Sequence, residues 1–80
     1  MVLTIYSKPD CHLCDDMKNL VRRVAGDQKE IIVQEIDIST DAGLLERYGL
    51  EIPVLTLDGR KVAKYRIGEK ELRRAIESRT

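Results

Sequence analysis

The chain has 80 residues, which is enough for one domain with a single core, spanning residues 1–80. Its 14 basic and 14 acidic residues cancel, so no overall field would attract nucleic acid or an anionic membrane. No apolar run approaches the roughly 20 residues of a membrane helix, and the N-terminus lacks the basic region and long apolar stretch of a secretion signal. Two closely spaced cysteines without such a signal favour a reducing setting, so we expect a cytoplasmic protein.

The first half of the chain predicts a strand, a helix and a second strand. Residues 2–6 are β-branched and apolar and lead into a polar loop, which is typical of a buried strand. From residue 11 the apolar positions recur at steps of three and four, which predicts a helix that stops at Gly26. Residues 31–38 begin as an apolar run and then alternate, as a strand does. Two strands joined by a helix in this way should lie parallel.

The second half predicts a short helix, a hairpin and a final helix. Capping side chains at residues 39–41 begin the short helix and Gly49 closes it. Asp58-Gly59 between two apolar runs is a strong hairpin signal. The two hairpin strands and the last helix are predicted at 54–57, 61–65 and 69–79. The order is therefore βαβαββα, an α/β fold with one four-stranded mixed sheet and helices on both of its faces.

Both cysteines of the chain lie where the first predicted helix begins, separated by two residues. A pair at this spacing can open and close a disulfide within one helical turn. Unpaired N–H groups and the helix dipole favour a thiolate on Cys11, whereas Cys14 is one turn further in and should be more buried. This asymmetry predicts Cys11 as the nucleophile of disulfide exchange and Cys14 as the thiol that resolves the mixed disulfide.

Charged residues of both signs are close to this pair in the sequence. Lys8 precedes it and would add positive charge beside the thiolate, and His12 would do the same as an imidazolium. His12 is equally consistent with a solvent-exposed spacer. Asp10, Asp15 and Asp16 act in the opposite sense because like charge disfavours a thiolate. The sequence therefore leaves the reduction potential of the pair open.

Three other interpretations of the cysteine pair stay open. The first is a pair of small buried hydrophobes, since free cysteine often packs as one. The second is zinc or an iron–sulfur cluster held between two copies of the chain by Cys11 and Cys14 of each, because one chain has no second cluster of Cys or His. The third is a non-catalytic adaptor domain with an idle disulfide.

Residues 7–14, with the sequence Ser-Lys-Pro-Asp-Cys-His-Leu-Cys, resemble the active-site segment of glutaredoxins, with His-Leu where Pro-Tyr is common. The order of elements is similar to the minimal thioredoxin fold over essentially all 80 residues. Pro53 falls where this family has a cis-proline beside the active cysteine, although only about 5–6% of X–Pro bonds in folded proteins are cis. The resemblance therefore implies a cis Ile52–Pro53 bond, and a substrate backbone that pairs with Ile52 as an added strand.

The resemblance also implies an activity and a ligand. A short glutaredoxin-like protein of the thioredoxin superfamily would reduce protein disulfides or glutathione mixed disulfides, as a monomer and without a bound cofactor. Glutathione as co-substrate would contact Lys8 and the start of the last helix at Gly68, Glu69 and Lys70, where backbone N–H groups bind a carboxylate. Of the Gly-Gly pair typical of that glutathione site, only Gly68 is kept. Either glutathione or a thioredoxin-type reductase would supply the electrons.

Overall fold

The strands and helices follow the predicted order in the computed structural model, which describes residues 1–79. They are β1 (Val2–Ser7), α1 (His12–Ala25), β2 (Ile32–Asp37), α2 (Ala42–Tyr48), β3 (Val54–Leu57), β4 (Arg60–Lys64) and α3 (Glu69–Arg79). The strands form one sheet in the order β2-β1-β3-β4. β1 is parallel to β2 and antiparallel to β3, and β3 is antiparallel to β4. The predicted four-stranded mixed sheet is confirmed.

The second strand is shorter than predicted. Residues 31–38 are predicted as strand, but β2 ends at Asp37 and a 3₁₀ helix at Ile38–Thr40 follows it. The Asp37 carboxylate accepts hydrogen bonds from the N–H and the hydroxyl of Ser39, at 2.8 and 2.6 Å, and so caps the turn. Ile38 is fully buried within it. Ile38, which the alternating pattern assigns to the strand, is therefore buried as part of the 3₁₀ helix instead.

Helices cover both faces of the sheet, as predicted. α1 and α3 pack on one face, where strand residues such as Leu3 and Leu55 are fully buried. α2 packs on the other face, in a smaller cluster around Ile38, Tyr48 and Val54. None of these helices within residues 1–79 is long and apolar enough to cross a membrane. The larger cluster consists of Leu3, Ile5, Met17, Leu20, Val21, Val24, Ala25, Ile31, Leu55, Leu57, Leu72 and Ile76.

The hairpin between β3 and β4 turns at Asp58-Gly59, where the sequence predicts it. Both residues have positive φ, 49° and 88°, which is the pattern of a two-residue type I′ turn. The last strand is predicted at 61–65 but spans Arg60–Lys64. It begins earlier because the turn has only two residues, and it ends earlier because Tyr65 leaves the strand with a φ of 69°.

Candidate redox site

The loop between β1 and α1 brings Cys11 to the start of a helix. Ser7 at the end of β1 is buried, and Pro9 and Asp10 then form an exposed turn. Asp10 has a φ of 58°, a left-handed conformation that aspartate tolerates better than most residues. Cys11 returns to extended backbone, with φ −118° and ψ 108°, and is the N-cap residue of α1. The predicted position of Cys11 at a helix N-terminus is therefore present in the fold.

Cys11 and Cys14 form a disulfide, with their Cα atoms 5.2 Å apart. The Cys14 N–H donates to Cys11 Sγ at 3.2 Å, so this sulfur occupies the place that a capping oxygen takes at other helix N-termini. The same N–H and the helix dipole stabilise negative charge on the sulfur when the pair is reduced. Cys14 is fully buried, whereas Cys11 is half-buried. Of the two cysteines, Cys11 is therefore the one that retains surface exposed to solvent.

The charged residues near the pair lie around Cys11 without bonding to it. His12 is exposed at the first position of α1, and Lys8 is half-buried directly after β1. Within residues 1–79 neither takes part in an ion pair or a side-chain hydrogen bond. Asp15 and Asp16 are exposed as well. The exposed charges among them would be screened by salt, so their effect on the Cys11 sulfur would weaken as the salt concentration rises.

The Ile52–Pro53 peptide bond is cis, as the resemblance implies. Pro53 is buried and precedes Val54, which pairs with Tyr6 near the end of β1. The bond therefore lies at the same end of the sheet as the cysteine loop. The Ile52 side chain is half-buried and packs on the α2 cluster. No hydrogen bond within residues 1–79 uses the Ile52 N–H or carbonyl, which leaves both groups without an internal partner.

Gly68, Glu69 and Lys70 are exposed where α3 begins. The Glu69 carboxylate lies 3.1 Å from Arg73 Nε, one turn along α3, and 3.6 Å from Arg23 Nε on α1. These two ion pairs partly neutralise a carboxylate that would otherwise repel an anionic ligand at this helix N-terminus. Gly68, Glu69 and Lys70, which the resemblance implies as ligand-binding residues, are therefore exposed, and two arginines partly compensate the negative charge of Glu69.

A depression of about 200 Å³ lies between α1 and the loop that precedes α3. Leu13, Asp16 and Met17 line it on the α1 side, and Arg66 and Ile67 line it on the loop side. Its lining is apolar except for one carboxylate and one guanidinium. Helical periodicity assigns Leu13 and Met17 to the core, so sequence reasoning misses the depression. Tertiary packing has brought the loop beside the first turns of the helix that carries the cysteines.

Tyr65 is a second part of this region that sequence reasoning misses. Its N–H donates to the Pro53 carbonyl at 2.8 Å, and its hydroxyl donates to the Leu50 carbonyl at 3.1 Å. Its φ is 69°, and the Arg66 N–H donates across it to the Lys64 carbonyl at 2.8 Å, which makes a γ-turn of the rare, strained hand. Such a conformation costs a non-glycine residue roughly 1–3 kcal/mol. An aromatic residue at the end of a predicted strand gives no sequence signal of this role.

Glu51 ties the residues before the proline bond to β4. Its carboxylate accepts hydrogen bonds from Lys61 Nζ at 2.8 and 3.2 Å, and Lys64 Nζ lies 3.9 Å away. The hydrogen bond from Lys61 lowers the pKa of Glu51, against a smaller opposing effect of desolvation. The chain that leads into the cis bond is therefore anchored by a charged pair as well as by packing.

The metal interpretation of the cysteine pair needs more ligands than one chain supplies. Among residues 1–79, no group of three or more His, Cys, Asp or Glu side chains is placed to hold a metal ion. A metal ion or cluster bound by Cys11 and Cys14 would therefore take its other ligands from outside these residues, as in the arrangement with a second copy of the chain.

Both the sequence and the fold match proteins of the thioredoxin superfamily. The family model described as "Glutaredoxin-like domain (DUF836)" matches residues 2–77. A structural genomics target protein from X. campestris is 30% identical, with 95% of this chain and 96% of that chain covered and a TM-score of 0.79. A mutant thioredoxin from Halobacterium salinarum is 28% identical, with 96% of this chain and 72% of that chain covered and a TM-score of 0.67. Thioredoxin from Fasciola hepatica shares the fold at 19% identity, with coverage of 99% and 80% and a TM-score of 0.68. The chain thus belongs to the glutaredoxin-like domain family of the thioredoxin superfamily.

Proposed function

We propose that the protein is a thiol–disulfide oxidoreductase that reduces protein disulfides or glutathione mixed disulfides through Cys11 and Cys14. The observation that carries the proposal is the asymmetry of the pair: Cys11 is half-buried and accepts the Cys14 N–H, while Cys14 is fully buried. A stabilised, accessible thiolate is what disulfide exchange requires of its nucleophile. The reaction is assigned to a single chain in the cytoplasm that needs no bound cofactor.

The first step is attack of the Cys11 thiolate on one sulfur of the substrate disulfide. A bond forms between Cys11 Sγ and that sulfur, the substrate disulfide breaks, and the other substrate sulfur leaves as a thiolate that takes a proton from water. The Cys14 N–H and the N-terminus of α1 favour the attacking thiolate. Lys8 and His12 are proposed to add positive charge beside it.

The second step releases the product. The Cys14 thiol loses its proton and attacks Cys11 Sγ, the mixed disulfide breaks, and the second substrate sulfur leaves as a thiol. The protein ends with the Cys11–Cys14 disulfide, whose Cα separation of 5.2 Å lies within the ordinary range for a disulfide. Two electrons have passed from the dithiol to the substrate. Two electrons from glutathione or from a thioredoxin-type reductase restore the dithiol.

Substrate binding is proposed for the groups around the pair. The Ile52 N–H and carbonyl have no partner within residues 1–79 and would pair with the substrate backbone beside Pro53. Lys8 and the N–H groups at Gly68, Glu69 and Lys70 would bind the carboxylates of glutathione. The exposure of these residues at α3 supports this assignment.

Trapping the mixed disulfide tests the roles of the two cysteines. In the Cys14→Ser variant, treatment with a disulfide peptide should leave an adduct on Cys11 that mass spectrometry detects, because the resolving thiol is missing. The Cys11→Ser variant is the matched control and should form no adduct. Absence of the adduct on Cys11, or an equal yield on Cys14 in the control, would contradict the assignment.

The electron donor is identified by turnover of the purified protein with each reducing system in parallel. Glutathione with its reductase and a thioredoxin-type reductase are supplied separately, with the same disulfide substrate and the same enzyme concentration. Faster turnover with one system identifies the donor. Turnover with neither system would count against the proposed reaction.

A further inference from the structure

Tyr65 holds a backbone conformation that its own chemistry disfavours. It is the central residue of a γ-turn with a φ of 69°, closed by the hydrogen bond of 2.8 Å from the Arg66 N–H to the Lys64 carbonyl. Bulky residues seldom adopt this conformation, whereas glycine adopts it freely. A strained residue persists only where its surroundings hold it, and such residues gather at functional sites. The side chain of Tyr65 is therefore a candidate for a role that the turn alone does not require.

Two hydrogen bonds from Tyr65 reach the two ends of residues 50–53, which we term the proline segment. The Tyr65 hydroxyl donates to the Leu50 carbonyl at 3.1 Å, and the Tyr65 N–H donates to the Pro53 carbonyl at 2.8 Å. Because both bonds come from one residue, they fix the ends of the proline segment relative to each other. Tyr65 thus acts as a clamp across the segment.

The proline segment offers one residue with an unpaired backbone and one exposed apolar side chain. The Ile52 N–H and carbonyl have no partner within residues 1–79, and the Leu50 side chain is 93% exposed. Leu50 and Glu51 lie in the turn that follows α2, where the Glu51 N–H donates to the Tyr48 carbonyl at 2.8 Å. A polypeptide paired with Ile52 has further side chains that can contact Leu50 two residues away, whereas a small disulfide has none.

We propose that Tyr65 is a positioning residue for disulfides carried on a polypeptide. By clamping the proline segment it holds the Ile52 backbone and the Leu50 side chain in the arrangement that a substrate chain binds. The proposal rests on the thiol–disulfide exchange proposed above. No hydrogen bond among residues 1–79 joins Tyr65 to Cys11 or Cys14, so Tyr65 acts on the binding of the polypeptide and not on the exchange of sulfur.

Single-turnover kinetics with two substrates test this role. The reduced protein is mixed with excess of either a synthetic peptide that has one internal disulfide and apolar flanking residues, or hydroxyethyl disulfide, and formation of the Cys11–Cys14 disulfide is followed by quenching and mass spectrometry. Tyr65→Phe removes one hydrogen bond, so the half-saturating peptide concentration should rise about fivefold. The limiting rate with the peptide and the rate with hydroxyethyl disulfide should not change.

A second variant separates the clamp from the turn. Tyr65→Gly keeps the γ-turn without strain and loses the hydroxyl and ring, so it should raise the half-saturating peptide concentration at least as much as Tyr65→Phe. Tyr48→Phe is the matched control, since no hydrogen bond within residues 1–79 joins its hydroxyl to the proline segment, and it should behave as the wild type.

The results that overturn the proposal are distinct from failure of the proposed function. Equal slowing with the peptide and with hydroxyethyl disulfide would place Tyr65 in the exchange chemistry or in folding, and unchanged binding in both variants would remove its role. If the wild-type protein formed no Cys11–Cys14 disulfide with either substrate, the exchange reaction itself would be refuted, and this proposal with it.

Discussion

The two ends of the sheet differ in their backbone hydrogen bonds. At the end where β1 begins, which we call the closed end, the N–H and carbonyl of Val2 are both hydrogen-bonded. At the end where β1 finishes, some backbone groups have no partner within residues 1–79. At the first end, the Asp58 carboxylate accepts the Val2 N–H at 2.8 Å and the Asp58 N–H donates to the Val2 carbonyl at 2.8 Å. Gly59 completes this closed end with a φ of 88°. At the second end, the redox end, Cys11 is half-buried and the Ile52 backbone has no internal partner within residues 1–79.

Left-handed backbone occurs at both ends but serves different purposes. At the closed end it falls on Asp58 and Gly59, residue types that favour it in a type I′ turn. At the redox end it falls on Asp10, beside the nucleophile candidate, and on Tyr65, whose side chain holds the proline segment. At the closed end left-handed backbone therefore costs little, whereas at the redox end it is strained at Tyr65, next to the segment where we propose that a substrate binds.

Removal of Cys11, the proposed nucleophile, should produce the largest change, and only at the redox end. Cys11→Ser should lower multiple-turnover disulfide reduction by at least about 1,000-fold, because serine is not a thiolate at neutral pH. The unfolding free energy of the reduced variant should stay within about 1 kcal/mol of the reduced wild type. Coupled turnover and urea denaturation measure the two quantities. Retained turnover would show that the redox end does not carry the chemistry.

Substitution of the turn glycine should affect stability and not exchange. A Cβ at Gly59 would meet nothing within 4 Å, so Gly59→Ala should cost only the left-handed backbone penalty, about 1–2 kcal/mol. Denaturation of the reduced protein measures the cost, and the exchange rate should match the wild type. Gly43→Ala in α2, where φ is not left-handed, is the comparison: its Cβ would lie 3.3 Å from Asp41 Oδ1, a tight contact without the left-handed penalty, and it should destabilise less than Gly59→Ala. A slower exchange rate in Gly59→Ala would mean that the two ends are coupled.

The hydrogen bond of the Asp58 side chain, at the same end, should make a smaller contribution to the free energy of unfolding. Asp58→Ala removes the acceptor of the Val2 N–H and should cost about 1 kcal/mol for that bond, in addition to the penalty of placing alanine at a φ of 49°. Asp58→Asn keeps an oxygen acceptor and tolerates positive φ, so it should retain most of that stability. Urea denaturation of both variants measures the difference. Equal losses in the two variants would show that charge, and not the hydrogen bond, is what matters at this position.

The smallest expected effect is a pH dependence beside the proline segment. The Lys61 hydrogen bond holds the pKa of Glu51 below the ordinary glutamate value of 4.5, so the folded state favours the ionised carboxylate. Its stabilising contribution is therefore fully present above that value and is lost as the pH falls through the lowered pKa. Wild-type protein should lose more stability than Glu51→Gln between about pH 6 and about pH 3. A parallel decline in the two proteins would contradict this assignment.

The sequence predicts well those features that depend on neighbouring residues. Cys11 at a helix start and the Asp58-Gly59 turn follow from a few adjacent residue types. The strand predicted through Ile38 is wrong at its end, because the Asp37 side chain caps a 3₁₀ helix there. A polar capping residue such as Asp37 fits the alternating pattern as well as a polar strand residue does, so the pattern does not mark the end of the strand.

Features that depend on contacts between segments far apart along the chain are not predicted by the sequence patterns. Tyr65 meets Leu50 and Pro53 only because β4 returns beside β3. The depression between Leu13 and Ile67 likewise exists only once α1 and the loop before α3 are packed together. Periodicity marks such residues as core or strand material, since it reports burial and not which partner buries them.

At the redox end of the sheet we expect Cys11 to be the reactive thiol and Cys14 to be shielded. Alkylation of the fully reduced protein by iodoacetamide, with the label on each cysteine counted by mass spectrometry, distinguishes the two. At neutral pH the native protein should be alkylated at Cys11 at least about 10-fold faster than at Cys14, and the difference should vanish in denaturant. Equal or faster labelling of Cys14 in the native protein, or an inert Cys11, would show that Cys11 is not the reactive thiol.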